Sequence, residues 1–430
     1  MTPTERLHAI FELFSEVEAD GRPLDAVTSA WFRAQRGLGD ADRGAILGAI
    51  YDILRHRGRL TWWCERLGRD PSARTLFITW LALIERRSVD QITDLVGDPD
   101  HIHPPFLDSL SGASLDHPEM PEGVRLECPE WALAPLKARF GASFAKEMEA
   151  TLLPPAVDLR VNPLKSHVAK VLGALKAMGL DAQPMPLAEN GIRVSQRFSF
   201  AKLNALKTGG VEIQDEGSQL VAALVDAKPG DRVVDFCAGA GGKTLAVAAQ
   251  MNNKGRIIAC DVSEGRLKRC AERLRNAGIH NAETRLLSSE SDKWIKRHKL
   301  GFDRVLIDAP CSGTGTWRRN PDTRWKSHDA GGLESLVALQ IRILASAARL
   351  VKPGGRLVYA TCSMLPAENE DQVAKFLAAF PMFKPVPLSE VSPKLSQAVG
   401  GAYLSLTPAQ HGTDGFFAAV LERIAEPISA

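Results

Sequence analysis

Three features that often identify a protein are missing from this sequence of 430 residues. No run of about 18 or more uncharged apolar residues occurs, so no membrane span is predicted. The N-terminus has no basic segment followed by a long apolar core, which argues against a secretion signal. The net charge is only +2, so bulk charge does not indicate a nucleic-acid partner. We therefore expect a cytoplasmic protein without a membrane partner.

Cysteine is also scarce, and its spacing indicates neither a metal site nor a disulfide. The seven cysteines are odd in number and none forms a C-x-x-C pair, which argues against a disulfide framework or a zinc site. The ten histidines show no metal-binding spacing. We expect free thiols in a reducing compartment and no bound metal.

The length and the pattern of the chain predict several domains. Leu7, Ile10, Phe11 and Phe14 recur at the spacing of one helical face. Clusters of proline, glycine and aspartate begin near residue 91, and strand-like segments follow. The expected organisation is a helical domain over 1–90, a linker with short helices over 91–150, a small α+β unit over 151–215 and an α/β domain over 216–425.

Arginine is concentrated in two parts of the chain. Each cluster fits a solvated helix face as well as an RNA-binding surface, so together they allow RNA binding without proving it. The arginines concerned are Arg33, Arg36, Arg43, Arg55, Arg57 and Arg59 in the first part and Arg318, Arg319 and Arg324 in the second.

The α/β domain is expected to contain a parallel sheet. Strict alternation of strands and helices is typical of a doubly wound sheet with helices on both faces. Ligands of such sheets bind beyond the carboxyl ends of the strands. The predicted strands are 232–236, 256–260, 283–287, 304–307 and 356–360.

A glycine-rich turn follows the first of these strands. A phosphate-binding loop would need a glycine where Cys237 stands, and a dinucleotide fingerprint would need one at Thr244. What remains is a G-x-G turn with Asp261, 22 positions after Gly239, at the end of the next strand. A carboxylate there can accept hydrogen bonds from both ribose hydroxyls of a nucleoside. S-adenosylmethionine fits because it carries a ribose and no phosphate; the alternative is a turn that only closes the strand–helix unit.

Two cysteines follow adjacent predicted strands of the same sheet. Cys311 and Cys362 should therefore lie at one edge, beside the expected cofactor. Single buried cysteines are usually inert, but two thiols in polar turns suggest chemistry. A thiolate that adds to carbon 6 of cytosine makes carbon 5 nucleophilic toward a sulfonium methyl group. Lys243 or turn amides could favour the thiolate, and Asp308 could hydrogen-bond the ring nitrogen as charge develops.

On these motifs the chain resembles the bacterial ribosomal RNA 5-methylcytosine methyltransferases, the RsmB-like Fmu/Sun group, over nearly its whole length. The resemblance implies that Cys362 is the nucleophile and that Cys311 assists release of the methylated RNA. DNA cytosine methyltransferases use a Pro-Cys cysteine instead, so the Thr-Cys-Ser element decides between the two thiols. The matching motifs are 214–219, 308–315, 318–322 and 360–363.

The resemblance also assigns the cofactor site, with two departures. Ala240 stands where the family usually has proline, which leaves the turn less restricted in φ. Ser289 stands where the family has an acidic residue near the adenine, so that contact passes to Ser289 or Asp292. The implied cofactor-binding residues are Cys237, Ala238, Gly239, Ala240, Gly241, Gly242, Lys243, Asp261, Ser289 and Asp308.

The rest of the chain resembles RNA-binding parts of the same family. The helices of 1–90 resemble an all-α NusB-like domain, and the 151–215 unit resembles the family's small RNA-recognition module. Methyltransferase sheets of this Rossmann-like class I type usually end in an antiparallel hairpin, here expected from 403–406 and 415–421. Candidate RNA contacts are Arg160, Asn162, Arg318 and Asn320, although solvent exposure at a strand end explains the first two equally well.

The resulting prediction is a monomeric, S-adenosylmethionine-dependent methyltransferase acting on carbon 5 of cytosine in RNA. The resemblance favours 16S ribosomal RNA, and tRNA is the alternative substrate. The target base must be unstacked before a thiol can reach it. A non-catalytic RNA-binding assembly factor and a P-loop ATPase are the alternatives from other classes.

Overall fold

The computed structural model describes residues 1–35, 37–96, 104–196, 198, 200, 203–325 and 331–424. The chain divides into two compact units. The N-terminal unit contains Met1–Leu153 together with Trp317–Ser327. The C-terminal unit contains Pro154–Thr316 and His328–Ala430.

The N-terminal unit is helical. Its first helix begins with a capping box between Thr2 and Glu5, and one face of the helix buries Ile10, Leu13 and Phe14. The helices are Pro3–Ala19, Leu24–Ala34, Asp40–Arg55, Arg57–Arg66, Ala73–Leu83, Val89–Val96, Pro104–Leu110, Glu122–Arg125, Glu130–Phe140, Phe144–Ala150 and Pro321–Arg324.

The prediction that 91–150 forms a separate linker was wrong. Phe106, Leu107 and Leu110 are buried in the same apolar core as Phe14 and Trp80, so the segment belongs to the helical unit. Of the prolines that suggested a linker, Pro104 and Pro105 begin a short helix and Pro118 lies in a turn. Part of the segment, 97–103, lies outside the described residues.

A distant piece of sequence completes the N-terminal unit. Arg324 is fully buried, and its guanidinium donates to the Glu127 carbonyl oxygen at 3.1 Å and to the Thr151 hydroxyl at 2.6 Å. Its planar group lies over the Trp317 ring, 4.8 Å from the ring centre. Trp317 and Arg324 therefore anchor the described residues 317–325 in the core of the helical unit.

The C-terminal unit begins with a small antiparallel sheet. Its order is β2-β3-β1-β4, and the helix Val168–Ala177 follows β1. Strands and a helix both occur in this segment, as expected for a small α+β unit, although β2 and β4, with three residues each, are too short to show periodicity. The strands are β1 (Val157–Val161), β2 (Ala182–Pro184), β3 (Gly191–Val194) and β4 (Val211–Ile213).

The main sheet has eight strands and a parallel centre. The order is β10-β12-β9-β8-β5-β6-β7, and β11 pairs with β12. Pairing is parallel from β9 through β7, and β12 runs antiparallel to β9 and β10. The strands are β5 (Arg232–Asp235), β6 (Arg256–Asp261), β7 (Ala282–Leu286), β8 (Phe302–Asp308), β9 (Val351–Thr361), β10 (Phe383–Val386), β11 (Leu404–Leu406) and β12 (Phe416–Arg423).

Helices cover both faces of this sheet, as the alternation predicts. Two apolar cores, one containing Leu245 and Leu274 and the other Leu344 and Phe376, pack against it. The expected terminal hairpin is present as β11 and β12, but the sequence analysis missed β10. The remaining helices are Asn204–Lys207, Glu216–Ala223, Gly242–Gln250, Glu264–Ala277, Lys293–Arg297, Gly332–Ala347, Glu370–Ala379, Leu388–Val391, Pro393–Val399 and Pro408–His411.

None of the helices in the described part of the chain combines the length and the apolar character that crossing a bilayer requires.

Candidate active site

The glycine turn after β5 requires glycine for two reasons. Gly239 and Gly241 have φ values of +55° and +82°, a region that other residues rarely adopt. A Cβ atom on Gly241 would also lie 2.4 Å from the Cys270 sulfur. The helix Gly242–Gln250 begins directly after Gly241, so the turn presents helix N-terminal amides at the end of β5.

Two arginine side chains donate hydrogen bonds to carbonyl oxygens of this turn. Arg160 Nη1 donates to the Gly242 carbonyl oxygen at 2.7 Å, and Arg273 Nη1 donates to the Ala240 carbonyl oxygen at 2.7 Å. These bonds restrict the turn at the position where Ala240 replaces the family's proline. The loss of a fixed φ is therefore offset by contacts from outside the turn.

Asp261 ends β6 beside the turn, as predicted. One carboxylate oxygen accepts the Gly239 amide at 2.8 Å and the other accepts the Ser263 amide at 2.8 Å. Each oxygen keeps a lone pair for a further donor. The side chain is thus fixed in place and can still receive ligand hydroxyls.

Asp235, at the end of β5, is a buried acid that the sequence analysis did not assign. Its Oδ2 accepts the Thr244 hydroxyl at 2.7 Å, while its Oδ1 is buried without a hydrogen-bond partner among the described residues. Burial raises its pKa to about 7, although the Thr244 bond opposes the shift. An unsatisfied buried oxygen of this kind indicates a missing donor.

A cavity of about 670 Å³ opens at this edge of the sheet. Apart from Gly241, every residue predicted for the cofactor site lines it, as do both predicted catalytic cysteines. The predicted residues that line it are Cys237, Ala238, Gly239, Ala240, Gly242, Lys243, Asp261, Ser289, Asp308, Cys311 and Cys362.

Lys243 and Asp308 form an ion pair inside the cavity. Lys243 Nζ donates to Asp308 Oδ2 at 2.7 Å, and the lysine is only 8% exposed. Burial by itself lowers the pKa of Lys243, but the Asp308 charge and hydrogen bond outweigh it, and the net shift is upward. Cys362 contributes to the same upward shift. Lys243 is therefore a cation held between a carboxylate and a thiol.

The two predicted catalytic thiols are in contact. Cys311 follows β8, Cys362 follows β9, and their sulfur atoms are 3.4 Å apart, within hydrogen-bond distance. The hydrogen bond to Cys362, followed by burial, holds the pKa of Cys311 well above its ordinary value. Cys311 thus keeps its proton in this arrangement and can share it with the Cys362 sulfur.

At the end of the cavity that contains Ser289, the acidic residue of the lining is Glu290, and its carboxylate pairs with Arg342 at 2.9 Å. Asp292 is not part of the lining. One of its oxygens accepts hydrogen bonds from the Ser288 amide and hydroxyl, and the other accepts one from the Trp294 amide. These bonds lower its pKa to about 2. Of the two residues proposed to contact adenine, only Ser289 therefore lies at the cavity.

Three of the four predicted RNA contacts are buried, which contradicts that assignment. Arg160 is 7% exposed and bonded to Gln214 as well as Gly242. Asn162 donates to the carbonyl oxygens of Gly209 and Ala277, both at 3.0 Å. These two side chains join the small sheet to the main one.

Arg318 is likewise buried, in the helical unit, where its carbonyl oxygen accepts from Arg55 at 3.0 Å. Asn320 alone is exposed, at the start of the helix Pro321–Arg324. These residues were expected to be exposed because they lie at a strand end or in a loop. A position of this kind does not show which other parts of the chain will pack over the side chain.

The first arginine cluster also forms internal pairs. Arg57 pairs with Glu18, and Arg59 with Glu127 and Asp116. Arg55 is buried, and Arg36 lies outside the described residues. Among the members that the structure describes, Arg33 is the exposed one, so these described members do not support the RNA-binding alternative for this cluster.

Gln214, Ser218 and Glu368 are further residues of this site. Gln214 and Ser218 line the cavity and hydrogen-bond each other at 3.0 Å. Both belong to the 214–219 motif that the resemblance singled out. Glu368 accepts hydrogen bonds from the residues that follow the two cysteines. Nothing in the sequence around Glu368 distinguishes it from an ordinary glutamate at the start of a helix.

Two family descriptions match the chain. Residues 222–422 match the family described as 16S rRNA methyltransferase RsmB/F. Residues 128–201 match the ferredoxin-like domain described for RsmF/B-like methyltransferases. The second match overlaps the small antiparallel sheet.

Curated relatives and a solved structure extend this similarity over the whole chain. The probable ribosomal RNA small subunit methyltransferase B of Bacillus subtilis is 35% identical, covering 88% of this chain and 90% of the relative. The protein of the same description from Synechocystis sp. is 29% identical, covering 90% and 92%. The crystal structure of PH0851 superposes with a TM-score of 0.83 at 28% identity, covering 98% of this chain and 99% of that one.

Proposed function

Because the chain belongs to the RsmB/F family of 16S rRNA methyltransferases, we propose that it methylates carbon 5 of a cytosine in small-subunit ribosomal RNA. Membership makes the chain an S-adenosylmethionine-dependent RNA methyltransferase. The choice of base atom and the roles of the residues are proposals. The observation that carries them is the pair of thiols, 3.4 Å apart, at the cavity of the glycine turn.

The charges of the cavity suit S-adenosylmethionine better than a nucleotide phosphate. Its lining contains four carboxylates against two cations, Lys243 and Arg266, and an acidic lining repels phosphate. The ligand carries an ammonium and a sulfonium, both positive. The carboxylates are Asp235, Asp261, Glu290 and Asp308.

Individual residues fit the parts of this ligand. The unsatisfied Oδ1 of Asp235 would accept from the ammonium group, and Asp261 would accept the ribose hydroxyls. Ser289 would meet the adenine with a hydroxyl where relatives have a carboxylate. This acidic lining argues against the P-loop ATPase alternative.

The chain's own residues then supply nucleophilic catalysis. Cys362 is the better nucleophile of the two, because Cys311 is held protonated while Cys362 lies near the Lys243 cation. Its sulfur adds to carbon 6 of cytosine, and the electron pair of the 5,6 double bond moves to carbon 5. When bound, S-adenosylmethionine supplies the methyl group that carbon 5 takes. Carbon 5 then loses its proton to solvent, the 5,6 double bond re-forms, and the carbon–sulfur bond breaks with its electron pair going to sulfur, which returns Cys362 as the thiolate.

Asp308 and Lys243 orient the base during addition. Asp308 is partly exposed at the cavity, so a carboxylate oxygen can accept a hydrogen bond from the amino group of an entering cytosine. Lys243 fixes the other side of that carboxylate. The Lys243 cation is already in position to stabilise negative charge that develops on the ring.

Ribosomal RNA is favoured over tRNA because two relatives, whose matches cover 90% and 88% of this chain, are described as probable ribosomal RNA small subunit methyltransferases. We propose that the N-terminal unit is a NusB-like RNA-binding domain and that the small sheet is a recognition module. Since three of the predicted contacts are buried, their RNA-binding surfaces must use other side chains, with Asn320 retained as a candidate.

Transfer of a tritiated methyl group tests the proposal. Purified protein is incubated with labelled cofactor and either 16S ribosomal RNA or total tRNA, and bisulfite sequencing locates the product. We expect label in the ribosomal RNA, abolished in Cys362→Ala. Label only in tRNA would refute the substrate, and full activity in Cys362→Ala would refute the mechanism.

A further inference from the structure

A buried carboxylate lies directly beneath the two thiols. Glu368 is fully buried in the short turn that follows β9. One oxygen, Oε1, accepts the Ser312 amide at 2.8 Å and the Gln340 side-chain amide at 2.9 Å. The other, Oε2, accepts the Ser312 hydroxyl at 2.5 Å and the Ser363 hydroxyl. Four donors therefore converge on one carboxylate.

The positions of these donors tie Glu368 to both cysteines. Ser312 directly follows Cys311, and Ser363 directly follows Cys362. The two serine hydroxyl oxygens are themselves 3.2 Å apart. One side chain thus holds together the turns that bring the sulfur atoms within 3.4 Å.

A purely structural link would not need a charge here. No Lys, Arg or His of the described residues forms a salt bridge with Glu368, and a buried carboxylate without a cation is costly. The amide donors from Ser312 and Gln340 cannot accept a hydrogen bond, so they match the ionised form. A neutral glutamine would link the same turns at a lower desolvation cost.

The charge acts on the neighbouring thiols. Three titratable groups act on the pair of thiols: Glu368 and Tyr359 interact with Cys311, and Lys243 interacts with Cys362. The hydrogen bond to Cys362 and burial raise the pKa of Cys311 most, and the Glu368 charge adds to the shift. Glu368 thus opposes ionisation of Cys311, and the Lys243 cation interacts with Cys362.

We propose that Glu368 is a positioning residue that holds Cys311 protonated and hydrogen-bonded to the Cys362 sulfur, so that the two thiols take different roles. Cys311 donates its S–H to Cys362, and Cys362 alone attacks the base. This inference rests on the proposed cytosine methylation. It extends that proposal to a residue that touches neither RNA nor cofactor.

Alkylation of the free protein by iodoacetamide tests the inference without RNA. The rates at Cys311 and Cys362 are followed against pH by peptide mass spectrometry in wild type, Glu368→Gln and Glu368→Asp. We expect the Cys311 profile of Glu368→Gln to shift lower by about one pH unit or more, since a nearby negative charge is lost. Glu368→Asp keeps the charge and should keep the Cys311 profile near that of wild type.

Tyr359→Phe is the matched control. The Tyr359 hydroxyl donates to the Glu368 carbonyl oxygen at 2.7 Å, so this variant loses a buried bond to the same residue and leaves the carboxylate intact. Its alkylation profile should not move. If Glu368→Gln also leaves the Cys311 profile unmoved and only lowers the melting temperature, the role of Glu368 is structural and the inference is wrong.

Methylation kinetics provide the second readout. In Glu368→Gln we expect kcat to fall about tenfold or more, because Cys311 is no longer held as the hydrogen-bond donor to the attacking Cys362 sulfur, with KM for RNA and cofactor unchanged. A rise in KM at constant kcat would overturn the inference. If Glu368→Gln does not fold, Ser363→Ala cuts the link to the Cys362 turn, and unchanged turnover there also overturns it.

Failure of the proposed function gives a different result. In that case wild type would transfer no methyl group to cytosine, while the alkylation profiles would still report whether Glu368 controls the thiol pair.

Discussion

Arg160 gives the sharpest contrast between a structural role and an RNA contact. In Arg160→Met the stem is kept, but Gly242 and Gln214 lose their charged donor. Each of the two bonds contributes roughly 1.5–3 kcal/mol because the donor is charged. The cost of burying the guanidinium offsets part of this stabilisation. Burial lowers the pKa of Arg160 to about 10, which is a sign of that cost. We expect a net loss of about 2–3 kcal/mol, or roughly 4–12 °C in Tm.

Thermal unfolding and the salt dependence of RNA affinity together provide the assay. Arg269→Met is the matched control because Arg269 is exposed on the helix Glu264–Ala277 and the change removes one positive charge. We expect Arg160→Met to lower Tm relative to this control and to leave the slope of log affinity against log salt unchanged. An arginine on a phosphate contributes about 0.7–0.9 to that slope. An unchanged Tm with a slope reduced by that amount would refute the structural role.

Three further predictions concern the cofactor site, and calorimetric titration with S-adenosylmethionine measures each. Ser289→Asp should tighten binding about fivefold or more by restoring a carboxylate for the adenine amine; weaker binding would contradict the placement of adenine. Since burial raises the pKa of Asp235 to about 7, binding of a cation should release a proton, and affinity should rise as the pH increases through about 7. Asp235→Asn should remove this dependence, and an equal dependence in the variant would exclude Asp235 as its source. Gly241→Ala should abolish binding and lower Tm, because its Cβ would lie 2.4 Å from the Cys270 sulfur at a φ of +82°; wild-type affinity would show that the turn can adjust.

Much of the catalytic unit follows from local patterns in the sequence. β5, β6 and β8 each contain a short apolar run next to charged residues, and alternation with helices predicts their parallel pairing. Because the carboxyl ends of parallel strands meet at one edge, the sequence also predicts that Asp261 and Cys311 line one cavity. Side chains at the carboxyl ends of the parallel strands are therefore the predictable ones.

The errors concern residues whose surroundings come from distant parts of the chain. Arg160 bonds to Gly242, 82 positions away, and Arg324 to Glu127, 197 positions away. An arginine near a strand end or in a loop has the same local signature whether it faces solvent or fills a buried site. Glu368 was missed for the same reason, since its partners Ser312 and Gln340 are brought to it by tertiary packing.

The identity of the attacking sulfur is tested most directly by trapping the covalent intermediate. RNA that carries 5-fluorocytosine at the target cannot lose a proton from carbon 5, so the protein–RNA adduct should persist after methyl transfer. Proteolysis and mass spectrometry then locate the modified cysteine. The proposed mechanism predicts a methylated fluoropyrimidine nucleotide on Cys362. An adduct on Cys311, or no adduct in a preparation that methylates ordinary RNA, would contradict it.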